Sequence, residues 1–252
     1  MRLKKIREMM MESSMKVLVI SDIHLKPWII ETADQMMEKH AFDNAVFLGD
    51  FADDWNQERN IELYKETYAA LEKFLVKYPE SKVCYGNHDL SYVWQRLESG
   101  YSTYARQTVV DCLHQIYKTV NVSRFQYIHK IGNVLFSHAG ITMSFLRMHF
   151  VDIPAIGDIL VTVNGMGPED IWNDASPIWA RTENRFGFYR GFLTRNKDYL
   201  QVVGHTPVDR PEYREKDGIL MTDVFSTYRD GRPIGTKRFV WVDSETKEWG
   251  EI

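Results

Sequence analysis

The chain reads as an α/β protein. Three observations predict this class: five short apolar runs of strand length, helical periodicity in the segments between the first three, and a turn or polar residue closing every run. Strands that alternate with helices imply a core with parallel pairing.

The five runs are 17–20 in KVLVISD, 45–48 in NAVFLGD, 83–85 in KVCYGNHD, 134–136 in NVLFSH and 200–203 in LQVVGH. Each is rich in Val, Ile, Leu or aromatic residues, as strands are. Between the first two, residues 28–40 carry Trp28, Ile29, Ala33, Met36 and Met37 near helical spacing. Between the second and third, residues 58–77 do the same with Ile61, Leu63, Tyr64, Tyr68, Leu71, Phe74 and Leu75. Residues 219–224 and 237–242 read as two further strands. The turn-rich RDGRPIG between them predicts an antiparallel, hairpin-like closing piece. MKVLVI from Met15 looks like a domain start, so residues 1–14 read as an N-terminal extension and 15–252 as a single domain. Within it, residues 141–195 are rich in Trp, Arg, Phe and Gly, including Trp172, Trp179, Arg185, Phe186, Phe188, Tyr189 and Arg190. That segment is either a cap over a pocket or a helical insertion packing its aromatics on the sheet.

A length of 252 residues with 44% hydrophobic content suffices to bury a full core. A formal charge of −4 and a pI near 6.1 exclude a general nucleic-acid or anionic-membrane binder, while leaving room for a local phosphate site. No run approaches the ~18 apolar residues of a membrane span, and the charged N-terminal stretch lacks a signal peptide's apolar centre. Cytoplasmic location is the expectation. Cys84 and Cys112 form no CxxC pair, which argues against a thiolate zinc site or a disulfide framework.

The runs share how they end. In open α/β sheets, ligands bind at the carboxyl ends of the strands. The residues there are Asp22, His24, Asp50, Asn87, His88, Asp89, His138 and His205, and they are expected to converge on one crevice at a single sheet edge. Carboxylates, an amide and imidazoles without sulfur suit Mn, Fe, Zn, Ni or Co. Asp22 and His24 are two apart and face the same side of an extended segment. A bridging carboxylate can hold two cations ~3.5–4 Å apart, a geometry suited to displacement at phosphorus.

The motifs SDIH (21–24), GDFAD (49–53), GNHD (86–89), SHAG (137–140) and GHT (204–206), in this order, resemble those of the calcineurin-like metallophosphoesterase superfamily. The resemblance implies a four-layer αββα sandwich with two mixed β-sheets and flanking helices. It implies two divalent metal ions, manganese foremost. Asp22 and His24 would hold the first ion, Asp50 would bridge, and Asn87, His138 and His205 would hold the second. His88 would be the catalytic histidine, oriented by Asp53. For Asp89 the expectation is a cap on the helix beginning near Leu90.

GHT followed by Pro207, rather than G-H-x-H, is similar to the phosphoprotein phosphatases and symmetrical diadenosine tetraphosphatases. SPIWAR (176–181) resembles the segment that supplies their phosphate-clamping arginine, so Arg181 is the candidate, with Asn87 beside it on the substrate. TDVF (222–225) faintly echoes an aspartate-bearing strand of that branch. Two positions depart from it: Leu25 replaces a usual glycine, and Asp54 stands where a second clamping arginine would be. The implied activity is hydrolysis of phosphomonoesters by a metal-bridging hydroxide, Ser/Thr protein phosphatase-like activity included. Dinucleoside polyphosphate hydrolysis and phosphodiester hydrolysis are the enzymatic alternatives; a catalytically silent binding scaffold of the same fold is the non-enzymatic one. The expected partner is a phosphorylated small molecule, nucleotide or phosphopeptide.

Overall fold

The structure, a computed structural model, describes residues 14–181 and 198–252. Two mixed sheets stack face to face. The first has six strands in the order β11 (Trp249–Glu251), β10 (Val240–Asp243), β1 (Lys16–Ile20), β2 (Asn44–Phe47), β3 (Lys82–Cys84) and β4 (Phe125–Gln126). The second has five: β5 (Ile128–Ile131), β6 (Val134–Ser137), β7 (Leu200–Val203), β9 (Ile219–Met221) and β8 (Glu212–Arg214). Pairing is parallel from β1 through β4 and from β6 through β7 to β9, and antiparallel at the margins.

Strand alternation explains the layering. Along β1, Leu18 and Ile20 point to a helical layer, whereas Val17 and Val19 point to the space between the sheets. Val46, Leu48, Val134, Phe136, Val202 and Leu220 fill the same inter-sheet space. Strands buried on both faces read as continuous apolar runs, which is why these were visible in the sequence. The first sheet is covered by α1 (Pro27–Lys39), α2 (Ile61–Lys77) and α4 (Arg106–Thr119). Proline at the first turn of α1 suits a position whose N–H needs no partner. In α2, the buried Tyr64, Thr67, Tyr68, Leu71, Phe74 and Leu75 lie along one stripe. The second sheet is covered by α5 (Met143–His149), α6 (Ile156–Asn164) and α7 (Pro168–Ile171), which pack with Ile128, Leu135 and Ile178. The short α3 (Asn87–Trp94) follows β3 directly, apart from Tyr85 and Gly86. The result is the four-layer αββα arrangement.

Two expectations are corrected. The five polar strand ends do not lie on one sheet: β1, β2 and β3 belong to the first, and β6 and β7 to the second. An apolar run shows that a strand is buried, not which sheet it joins. Residues 219–224 and 237–242 do not pair with each other either. RDGRPIG does turn, with a bridge between Thr227 and Pro233, but β9 then pairs with β7 and β8, and β10 with β1 and β11. In this closing region the hairpins close through the turns after Arg214 and Asp243.

The described part of segment 141–195 is helical and packs Trp172 and Trp179 edge to face, 5.4 Å apart. Arg185, Phe186, Phe188, Tyr189 and Arg190 lie outside the described residues, as does the extension up to residue 13. No helix among the described residues is long and apolar enough to cross a membrane.

A buried histidine ties the sheets together and makes stability pH-dependent. His129 on β5 is 4% exposed, with Nε2 3.0 Å from the Val83 carbonyl of β3. Burial pushes its pKa down to about 4, against the smaller opposing effect of that carbonyl. Because the folded value lies below the unfolded ~6.5, the contribution is complete above pH ~6.5 and is lost as pH falls toward 4. The expected cost from pH 7.5 to 5.5 is about 1 kcal/mol. Urea unfolding of the wild type and His129→Gln at both values measures it: the variant should lose less stability on acidification than the wild type.

Candidate metal centre and active site

The loops leaving the strands are bound to one another before any ligand is considered. The N–H of His24 donates to the Asp50 carbonyl (2.8 Å) and that of Leu25 to Phe51 (3.0 Å). The N–H of His205 donates to Asp22 Oδ1 (2.9 Å), joining the last motif to the first. Asp89 does not cap a helix beginning near Leu90, because α3 already begins at Asn87. Its carboxylate accepts N–H bonds from Asp50 (2.8 Å), Phe51 (2.9 Å) and Ala52 (3.3 Å) and a hydroxyl from Tyr68 (3.1 Å). Asp89 therefore holds the loop that presents Asp50.

This grip matters because the backbone is strained here. His24, Asp50, Asp53 and His205 all have φ between 43° and 63°, a left-handed conformation that non-glycine residues adopt at a cost. Two glycines explain their motifs. A Cβ on Gly86 would meet Asp50 Oδ1 at 2.1 Å, and one on Gly204 would meet Asp22 Oδ2 at 2.0 Å. The carboxylates lie where any side chain at these positions would be.

Three sets of side chains each bring their potential ligand atoms within 4.8 Å of one another: His24, Asp50 and His88; Asp50, His138 and His205; Asp53, His88 and Glu98. Asp50 belongs to the first two, the position a bridging ligand needs. Asp22 falls in none of them. It is fully buried beside the second, with its carboxylate engaged by Ser21 and by the His205 N–H.

The tautomers follow from outer contacts. His24 Nδ1 lies 2.9 Å from the Asp53 carbonyl and His138 Nδ1 2.8 Å from the Leu48 carbonyl, so each carries its proton there and turns Nε2 inward. His138 Nε2 then faces Asn87 Oδ1 (2.9 Å), His205 Nδ1 (3.0 Å) and Asp50 Oδ2 (3.2 Å). These polar atoms gather at one point. Asp50 draws a proton onto His138, whose pKa rises to about 9 against its burial. Burial and the neighbouring His138 hold His205 well below the usual imidazole range, and its Nε2 is buried without a partner. Burial raises the Asp22 carboxyl to about 6. Convergent oxygen and nitrogen atoms, buried carboxylates and an orphaned imidazole nitrogen fit divalent cations.

His88 sits at the rim. Its Nδ1 is 2.9 Å from Asp53 Oδ2. Asp53 is buried, and its Oδ1 accepts hydroxyls from Tyr64 (2.9 Å) and Tyr92. Burial works against charge on His88, but Asp50, Asp53 and Glu98 outweigh it and hold the imidazole well above its ordinary range. Arg181 Nη1 donates to the His205 carbonyl (3.1 Å) on the wall of a cavity of about 500 Å³ that also reaches His24, Asp50, Asn87 and His88. Trp179 stands edge-on to His205 with ring centroids 5.7 Å apart.

Sequence reasoning missed one acid, Glu98, and touched a second, Asp223, only through the echo in TDVF. Glu98 Oε1 lies 2.9 Å from His88 Nδ1 but makes no hydrogen bond, since the single N–H is directed to Asp53. Glu98 follows α3 in an irregular segment, where nothing in the local pattern marks it. Asp223 follows β9, so the strand-end rule that selected the others selects it too. It is buried, bonded by the Ser226 N–H (3.2 Å) and hydroxyl (2.9 Å), and burial together with Asp22 raises its pKa to about 7.

Comparison with known proteins agrees with this frame. The family model described as calcineurin-like phosphoesterase matches residues 15–229, and the chain belongs to that family. Its members typically bind two divalent metals. Among solved structures, a cold-active protein-tyrosine phosphatase of a psychrophilic Shewanella shares the fold at 15% identity and a TM-score of 0.55, covering 94% of this chain and 80% of that one. A protein serine/threonine phosphatase from Saccharomyces cerevisiae does so at 13% identity and a TM-score of 0.55, covering 90% and 72%. No curated protein matches.

Proposed function

We propose that the protein is a binuclear metal-dependent phosphoesterase that releases a terminal phosphoryl group. The observation that carries this reading is the pair of ligand sets sharing Asp50, with the His88–Asp53 pair at their edge. In this reading, Asp22, His24, Asp50, Asn87, His138 and His205 hold two ions, with manganese as the first choice. When bound, the ions would lower the pKa of water and neutralise charge on the phosphoryl oxygens.

The chain's own groups do the rest. His24 and His138 keep their Nδ1 protons on backbone carbonyls, which fixes the inward direction of Nε2. Asp53 holds His88 Nδ1–H, and the proton on Nε2 goes to the leaving oxygen. Arg181 and the Asn87 amide bind phosphoryl oxygens; a guanidinium suits bidentate contact. Trp179 shields His205 from solvent. Every position whose loss would mark a silent scaffold is filled. A cytoplasmic site of action fits the two free thiols, Cys84 and Cys112.

The test is turnover by the manganese-loaded protein of p-nitrophenyl phosphate, bis-p-nitrophenyl phosphate, diadenosine tetraphosphate and a phosphopeptide. The first should exceed the second by tenfold or more. A preference for the diester would overturn the monoesterase reading.

A further inference from the structure

The wall of the catalytic cavity is shared with a neighbouring one. A second cavity of about 480 Å³ adjoins it, and Asp54, Trp55, Asn56, Thr227 and Arg229 line both. The seam is built from cross-links between two distant segments. Trp55 Nε1 donates to the Thr227 carbonyl (2.9 Å), the Asn56 amide to the Arg229 carbonyl (3.3 Å), and the Thr227 hydroxyl to Asp54 Oδ1 (3.2 Å).

Charge around the second cavity is set for an anion. Asp54, in the place of a clamping arginine, does not present a bare carboxylate, because Lys26 Nζ lies 3.0 Å from its Oδ2. Arg232 is engaged by Asp230. Arg229 and Lys237 have no acidic partner within 4.0 Å among the described residues, and both line the second cavity. Lys237 lies beyond the residues matched by the family model.

The walls are aromatic. Trp28 and Trp55 line the second cavity while 39% and 48% exposed. Both indoles are held: Trp28 edge-on to Phe225 at 6.0 Å with Lys237 Nζ 5.7 Å from its ring, and Trp55 through its Nε1 bond. A fixed, exposed indole beside an unpaired cation is suited to a flat ring carrying a negative group.

We infer that the second cavity is a leaving-group subsite for a nucleotide, with a phosphate on Arg229 and Lys237 and the base against Trp28 and Trp55. The inference rests on the phosphoesterase reading and narrows it to a phosphoanhydride substrate. Hydrolysis forms the bond from the water oxygen to the terminal phosphorus and breaks the bond to the bridging oxygen, whose electron pair leaves with the nucleotide. One water proton reaches the departing oxygen by way of His88, and the other stays with the released phosphate.

Binding without turnover tests it. Tryptophan fluorescence of the manganese-loaded full-length protein is titrated with α,β-methylene-ADP, phenylphosphonate and inorganic phosphate. The diphosphate analogue should bind at least tenfold more tightly than either, and Arg229→Ala with Lys237→Ala should remove that advantage. Trp55→Phe, which keeps a ring, should weaken the analogue less than Trp55→Ala. Equal affinity for the analogue and phenylphosphonate, or an advantage surviving the double variant, would overturn the subsite. Failure of the phosphoesterase reading is seen separately, as absent hydrolysis of p-nitrophenyl phosphate.

Discussion

Replacing Asp50 with asparagine should leave fewer than two manganese ions per chain and cut turnover by about 10²–10³-fold, the several kcal/mol of charge stabilisation that metal ions supply. The substitution keeps the side chain's size and removes its charge. Asp50 is the residue shared by both ligand sets, and Oδ2 lies 3.7 Å from His24 Nε2 and 3.2 Å from His138 Nε2. Its Oδ1 also accepts the His88 N–H (3.0 Å), so the carboxylate joins the metal cradle to α3. Mass-spectrometric metal analysis beside circular dichroism separates lost ions from lost fold. Two ions retained in a folded Asp50→Asn protein would remove the bridging role.

His88→Ala should act differently: about 10²-fold or more off kcat with metal content unchanged. His88 is near His24, with ring centroids 5.1 Å apart, and so could be taken for a ligand. Its Nδ1 is committed to Asp53, which two tyrosine hydroxyls also hold, and this favours the acid role. The loss should be larger on phenyl phosphate than on p-nitrophenyl phosphate, because nitrophenolate departs without a proton. Full rate on phenyl phosphate would show the role to be wrong, and loss of an ion would make His88 a ligand.

The contrast between these variants follows how much the sequence could show. Runs such as KVLVISD and NVLFSH were legible because both faces of each strand are buried and the polar residue comes directly after. Their division between two sheets was not derivable from periodicity. RDGRPIG looks like a hairpin turn that would pair β9 with β10, yet long-range pairing with β7 and β1 wins. Asp89 reads from its position as a helix cap, whereas its carboxylate serves a loop 37 to 39 residues earlier. Glu98 reaches His88 from an irregular segment, and no local pattern encodes such an approach. Glycines 86 and 204 were visible as motif letters, but only the 2.1 and 2.0 Å approaches give the reason for them.

Anomalous scattering at the manganese edge, from crystals of the loaded full-length protein, tests the central claim most directly. Two peaks ~3.5–4 Å apart on either side of Asp50, one toward His24 and one toward His138 and His205, are the predicted result. Manganese bound elsewhere, or a single ion away from Asp50, would contradict it.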